Sequence, residues 1–259
     1  MNWSHWFERW EAMQSAYLPQ RQRRFDLMFR LPNFPHDAPL RILDLGCGPG
    51  SVTFAALRHY PNARVVAVDA DPVLLAMGKA LADQRISGSA RQRDSVASVQ
   101  SVEFVLADLR DGAGWAADGE FDLVVSATAL HWLTEAHLAK VYRRVFRALK
   151  PGGAFFNADH IAADDPAMQA HYRDLLHAWQ RANFDAGAED WDGFWRGFEA
   201  ALAQDGIPAQ REAVTYWEGT DDGLPRQFHL DTLRACGFAD VAVHWQDLGE
   251  VLVGARKPL

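Results

Sequence analysis

Seven consecutive residues, Asp44-Leu45-Gly46-Cys47-Gly48-Pro49-Gly50, hold the densest chemical pattern in the chain. Glycine is required where a backbone turns sharply and must let a ligand approach with no Cβ in between. The spacing is GxGxG, whereas the fingerprint that seats a pyrophosphate on a helix N-terminus is GxGxxG. The turn therefore suits a nucleoside ligand without phosphate; its plain alternative is a tight strand-to-helix turn. Asp69 closes the run Val65-Val66-Ala67-Val68, where a carboxylate can accept hydrogen bonds from both hydroxyls of a ribose. Asp108 follows residues 102–107 and can accept from an adenine amino group or cap the next turn. Asp71 precedes Pro72 and reads as a helix cap.

Candidate proton acceptors come from histidine, whose imidazole titrates near neutrality. His131 follows the fourth apolar run and His160 the fifth, at the strand ends where open α/β sheets gather ligands. Both are candidate catalytic bases; packing at a helix start is the alternative for His131 and simple surface exposure for His160. Tyr17, Trp132, Trp179 and Trp195 are candidate substrate contacts, since aromatic rings give rigid apolar walls with a polar handle. Phe194, Trp195 and Phe198 also have the helical spacing of a packed core. His171 and His177 stand six apart, on different faces of a helix, and no HExxH occurs, so no metal site is expected.

These residues need a frame. Short apolar runs at 40–45, 64–69, 102–107, 121–126 and 153–158 read as buried strands, the fifth after a turn at Lys150-Pro151-Gly152-Gly153. Helical spacing marks 51–60, 72–84 and 134–149 between them. Strand and helix in alternation predict an α/β fold with a doubly wound, mostly parallel sheet. Polar residues 86–100 read as a solvated loop. Residues 230–236 predict a helix stopped by Gly237, and the runs 239–247 and 249–256 lie too close for a helical crossover, so they predict an antiparallel pair.

The net charge of −8 and the lack of a long basic run argue against a nucleic-acid partner. No apolar run is long enough to cross a bilayer, so no membrane partner is expected. Two distant cysteines and a first segment without a signal-peptide layout lead to an expected reducing, cytoplasmic setting.

Together, Asp44 to Gly50, Asp69, Asp108, Phe121-Asp122-Leu123-Val124-Val125, Leu149-Lys150-Pro151-Gly152-Gly153 and Ala235-Cys236-Gly237-Phe238 resemble the successive motifs of class I S-adenosylmethionine-dependent methyltransferases. The likeness covers about residues 40–158 and 228–257, and is nearest in feel to small-molecule enzymes of the trans-aconitate and ubiquinone-biosynthesis type. It implies a Rossmann-like seven-stranded sheet with an antiparallel last strand, and S-adenosyl-L-methionine as cofactor. It implies Gly46, Gly48 and Gly50 as the cofactor loop, Asp69 as ribose ligand and Asp108 as adenine ligand, with Ala127 and His131 near the methionine end. Asp44, Cys47, Ala70 and Leu109 complete the expected cofactor-binding set. Ser126-Ala127-Thr128-Ala129 replaces the Asn/Asp-Pro-Pro-Tyr/Phe of base-methylating enzymes, and Ser126 stands where metal-dependent relatives place an Asp.

The expected organisation is an N-terminal helical lid over 1–30, a cofactor-binding core over 31–158, a helical insertion and substrate lid over 159–225, and a closing helix and strand pair over 226–259. The expected activity is methyl transfer to an O, N or C atom of a small, partly apolar metabolite. Three rivals stand beside it: a cofactor-binding protein without transfer, a protein methyltransferase, and an NAD-dependent oxidoreductase.

Overall fold

Val, Ile, Leu and Phe crowd both faces of a sheet that is covered on both sides, and the apolar runs pair in that way. A computed structural model describes residues 1–89, 102–111, 114–208 and 218–259. Strands β1 (Arg41–Leu45), β2 (Arg64–Asp69), β3 (Val102–Leu106), β4 (Phe121–Ala127), β5 (Leu149–His160), β6 (Ala239–Asp247) and β7 (Glu250–Arg256) form one sheet in the order β3-β2-β1-β4-β5-β7-β6. Neighbours from β3 to β5 run parallel, and β7 runs antiparallel to both β5 and β6. The order reverses between β1 and β4, which opens a crevice at the carboxyl edge where ligands sit in such sheets.

Helices α3 (Ser51–His59), α4 (Pro72–Ser89), α5 (Glu135–Ala148) and α8 (Arg226–Ala235) connect the strands. In α5, Leu138, Val141, Tyr142 and Val145 all face inward onto Phe155 and Val124, as the three- and four-residue spacing predicts. Asp71 caps α4, accepting from the amides of Val73 (2.8 Å) and Leu74 (3.1 Å), with Pro72 at the first helical position. Gly237 ends the α8 turn at φ +98°, a left-handed conformation that glycine adopts without strain.

Three expectations change. Lys150-Pro151-Gly152-Gly153 is not a turn before β5; it is an irregularity within it, because Leu149 already pairs with Phe121 before the register shifts to Ala154 opposite Leu123. Strand β3 is half exposed, with Leu106 at 59% exposure, since it occupies a sheet edge. Residues 86–89 continue α4, and the rest of the polar stretch 86–100 lies outside the described residues.

Helices α1 (Trp3–Tyr17), α2 (Arg21–Arg30), α6 (Pro166–Asp185) and α7 (Trp191–Gln204) come from the two ends of the expected lid. Trp6 and Trp10 of α1 meet Phe194, Trp195 and Phe198 of α7 edge-on or tilted, at centroid separations of 5.1 to 6.2 Å, and the cluster rests on Val73, Leu74 and Met77 of α4. Asp165 and Asp190 cap α6 and α7 through the amides of Met168 and Gly193. Arg9 pairs with Glu189, and Tyr17 receives the amide of Trp191 at 2.9 Å, so α1 is fastened to the start of α7. No described helix is long and apolar enough to cross a membrane.

Candidate active site

The turn after β1 spends its own donors. The amides of Gly46 and Cys47 donate to the carbonyl of Val68 (2.8 and 3.0 Å), that of Gly48 to Asp69 Oδ2 (2.7 Å), and that of Gly50 to the carbonyl of Cys47 (2.9 Å). None of these four N–H groups is left to point at a phosphate, the device on which dinucleotide sites rely. Gly46, at φ +68°, passes so close to the loop after β4 that an added Cβ would stand 2.3 Å from Cβ of Ala129. Glycine at this position is a demand of the backbone.

Asp69 takes the amides of Gly48 and Asp71 (2.8 Å) on its two oxygens, one each. Each oxygen keeps a second acceptor direction, which is the capacity needed for two adjacent sugar hydroxyls. Burial pushes this carboxyl up to about 6, against the lowering effect of the backbone amides of Asp71, Gly48 and Ala70. Asp44 lies deeper, fully buried behind the turn, where Thr53 donates to its Oδ2 at 2.6 Å. Burial pushes Asp44 up to about 7. It braces β1 against α3 and does not reach the cleft.

A cleft opens above these residues at the carboxyl edge. Gly46, Cys47, Gly48, Asp69, Ala70, Asp108, Leu109 and Ala127 of the expected cofactor set line it, and so do Trp132 and Trp195 of the candidate substrate contacts. Gly50 does not; at φ +96° it caps α3 and faces the ring of Phe54. Asp108 faces the cleft with most of its acceptor capacity taken by Arg110, which binds it through its backbone amide (2.8 Å) and guanidinium (2.5 to 3.0 Å). That same hydrogen bonding holds the Asp108 carboxyl below its ordinary value.

The two histidine candidates are placed elsewhere. His131 is buried in a short 3₁₀ turn, Leu130–Trp132, with Nδ1 2.6 Å from Asp159 Oδ1 and its amide donating to Asp159 Oδ2 at 3.0 Å. His160 turns to Glu250, 2.5 Å from Nδ1 to Oε1, and the two imidazoles meet edge to face at 4.8 Å. Buried carboxylates need partners, and Asp159 and Glu250 claim both rings, so neither lines the cleft. Tyr17 is likewise engaged with Trp191 and Phe184. Trp179 sits 37% exposed on α6, a helix with no buried residue, away from the cleft.

Sequence reasoning missed Trp10, Gln14, Arg21 and Phe25 from the N-terminal helices and Trp191 from α7, all of which line the cleft. Arg21 stands in the chain's densest basic stretch and Trp10 in its Trp-rich start, so composition flagged the segment without showing its direction. Arg21 is buried on the cleft wall and pairs with both oxygens of Glu11 (2.8 and 3.0 Å), while Ser51 donates to the same carboxylate. Burial pushes the Cys47 thiol well above its ordinary value. No group of three or more potential metal ligands occurs among the described residues.

A family model described as a methyltransferase domain matches residues 42–153. Among curated proteins, trans-aconitate 2-methyltransferase from Streptomyces avermitilis is 31% identical over 177 residues, 64% of this chain and 60% of that protein. Malonyl-[acyl-carrier protein] O-methyltransferase from Geobacter sulfurreducens is 30% identical over 179 residues, 69% of this chain and 60% of that protein. The matched relatives are thus longer than the part this chain spans, which is 39% to 60% of their length. Solved structures with the same fold include the S-adenosylmethionine-dependent methyltransferase SibL (TM-score 0.54, 18% identity, 92% of this chain and 55% of that one). The [4+2]-cyclase SpnF shares it too (TM-score 0.55, 17% identity, 92% and 80%). Residues 42–153, which carry the glycine turn, Asp69 and Asp108 on this seven-stranded sheet, are thus similar to a methyltransferase domain.

Proposed function

We propose that this chain transfers the methyl group of S-adenosylmethionine to an O, N or C atom of a small, partly apolar acceptor. The observation that carries this reading is the glycine turn whose amides are all satisfied within the protein, beside an acid with two unused acceptor directions. Such a site fits a nucleoside without phosphate and disfavours the dinucleotide of an oxidoreductase. The bound sulfonium supplies an activated methyl group. Asp69 holds the sugar, Ala70 and Leu109 flank the base, and Arg21, whose fork already holds Glu11, meets the carboxylate of the methionine portion through its remaining N–H donors.

An electron pair on the acceptor atom would form the bond to the methyl carbon, and the electrons of the carbon–sulfur bond would stay on sulfur. Any proton on the acceptor atom would leave to bulk solvent once the new bond has formed. Among the described residues no histidine lines the cleft, so alignment and exclusion of water do the catalytic work, effects worth up to about 7–11 kcal/mol in well-oriented systems. The indoles of Trp10, Trp191 and Trp195, 5.6 to 6.2 Å apart, exclude water above the glycine turn.

Incubating the protein with methyl-labelled cofactor and a metabolite library, and following S-adenosylhomocysteine release, tests the proposal. Binding without release for any small acceptor would leave a cofactor-binding or protein-methylating role. Arg21→Met is expected to weaken S-adenosylhomocysteine by about 10–100-fold, the loss of one charge-assisted interaction. Affinity for 5′-methylthioadenosine, which lacks the carboxylate, should stay unchanged in the same calorimetric titration. Cofactor affinity should also fall with acid. With Asp69 titrating at about 6, the ionised form that accepts both hydroxyls persists above that value and is lost below it. Calorimetry from pH 7.5 down to pH 5 should show constant affinity at first, then a decline approaching about tenfold per pH unit.

A further inference from the structure

The cleft is rich in aromatic rings and poor in uncommitted positive charge. Trp10, Phe25, Trp132, Trp191 and Trp195 face it, and so do three acids, Asp69, Asp71 and Asp108. Among the described residues its cations are Arg21 and Arg110. Arg21 has both Glu11 oxygens, and Arg110 has Asp108 and, at 2.7 Å, Glu218. Among the described residues, every positive side chain on the cleft wall is therefore matched by a carboxylate. A ligand with several carboxylates needs guanidinium or ammonium groups in excess of the acids already there, because each anion brought into such a site must recover its lost hydration.

We propose that the acceptor has a flat apolar or aromatic body with at most one negative charge, and that the site rejects polycarboxylates. The inference rests on the methyltransferase reading above and narrows it. It separates this chain from the tricarboxylate in the name of its Streptomyces relative, of which the chain spans 60%. Trp10 bears directly on the ring-shaped body: its indole lies 3.8 Å from where a Cβ on Gly48 would stand, directly over the cofactor turn. Arg21 is spoken for twice, by Glu11 and by the cofactor carboxylate. A second or third acceptor carboxylate would then lie among Asp69, Asp71 and Asp108 with no uncommitted cation among the described residues to meet it.

Calorimetry on the protein saturated with S-adenosylhomocysteine provides the test, using benzamide, benzoate, isophthalate, trimesate and trans-aconitate. Benzamide and benzoate are expected to bind. Each further carboxylate is expected to weaken affinity by about tenfold, the scale of a like charge held nearby at an intermediate effective dielectric. Glu218→Gln, which releases one partner of Arg110, should strengthen trimesate by about tenfold and leave benzamide unchanged. Trimesate or trans-aconitate binding as tightly as benzoate would overturn the inference, and so would silence from benzoate and benzamide alike. Failure of S-adenosylhomocysteine itself to bind would instead sink the methyltransferase reading.

Discussion

Replacing Asp69 with alanine is expected to raise the dissociation constant for S-adenosylhomocysteine by about 10²–10³-fold. Two hydrogen bonds to an ionised carboxylate are lost, each worth about 1.5–3 kcal/mol, and part of the sum returns through water that enters the space. The same substitution removes the acceptor for Gly48 N–H and Asp71 N–H, so the cofactor turn also loosens. Asp69→Asn separates the two effects: it keeps an acceptor for the backbone and loses the charge, and its affinity should fall between those of the native protein and Asp69→Ala. Thermal stability should change little. The folded-state value of about 6 lies above the ordinary 3.8, so the stability contributed by this group is present below 3.8 and lost as pH rises through 6. At neutral pH its charge already costs the fold, and alanine relieves that cost. Unchanged affinity in Asp69→Ala would remove the ribose from this end of β2.

The second large effect concerns stability. Glu250→Ala is expected to destabilise the fold by about 3–5 kcal/mol in urea unfolding, because it strands a buried cation. Arg24 of α2 and Glu250 at the start of β7 form an ion pair with both side chains 1% exposed. Nη1 makes the contact, and Nε and Nη2 of Arg24 have no hydrogen-bond partner among the described residues. Glu250 also faces His160, whose imidazole meets that of His131 on Asp159. Burial pushes Glu250 up, but His160 and Arg24 outweigh it and hold the carboxyl below 4.5. Burial pulls His160 down, and Glu250 outweighs it and lifts the imidazole above 6.5. The acid contributes stability above 4.5 that is lost as pH falls through its folded value. The base contributes stability below 6.5 that is lost as pH rises through its own. The deficit of Glu250→Ala should therefore be widest between these limits. The double replacement Arg24→Leu with Glu250→Leu should recover most of it, since apolar packing commonly equals a buried ion pair. A single replacement with no cost would show that α2 is held by its apolar contacts, Phe25, Met28 and Phe29, alone.

That network also explains why the histidines resisted reading from sequence. Position after β4 and after β5 is legible, and it puts His131 and His160 near the cofactor edge. Ring direction is not legible, because it depends on carboxylates 28 residues away from His131 and 90 residues away from His160. The same holds for Tyr17, whose hydroxyl is taken by an amide 174 residues away, and for Trp179, left outside by a helix that packs through few of its residues.

What the sequence determined by itself is local or periodic. Alternating apolar runs specify the strands, three- and four-residue spacing specifies α5, Asp71-Pro72 specifies the start of α4, and the glycine turn with Asp69 makes a phosphate-free nucleoside site the expectation. Each follows from a few neighbouring residues, since backbone geometry and side-chain period act over short range. Tertiary structure decided the rest: that Trp10, Arg21 and Phe25 reach over the glycine turn, that the cleft cations Arg21 and Arg110 each meet an acid, and that both histidines turn inward. These depend on which distant segments share a buried space, and burial makes each charge seek a partner wherever the chain's path brings one.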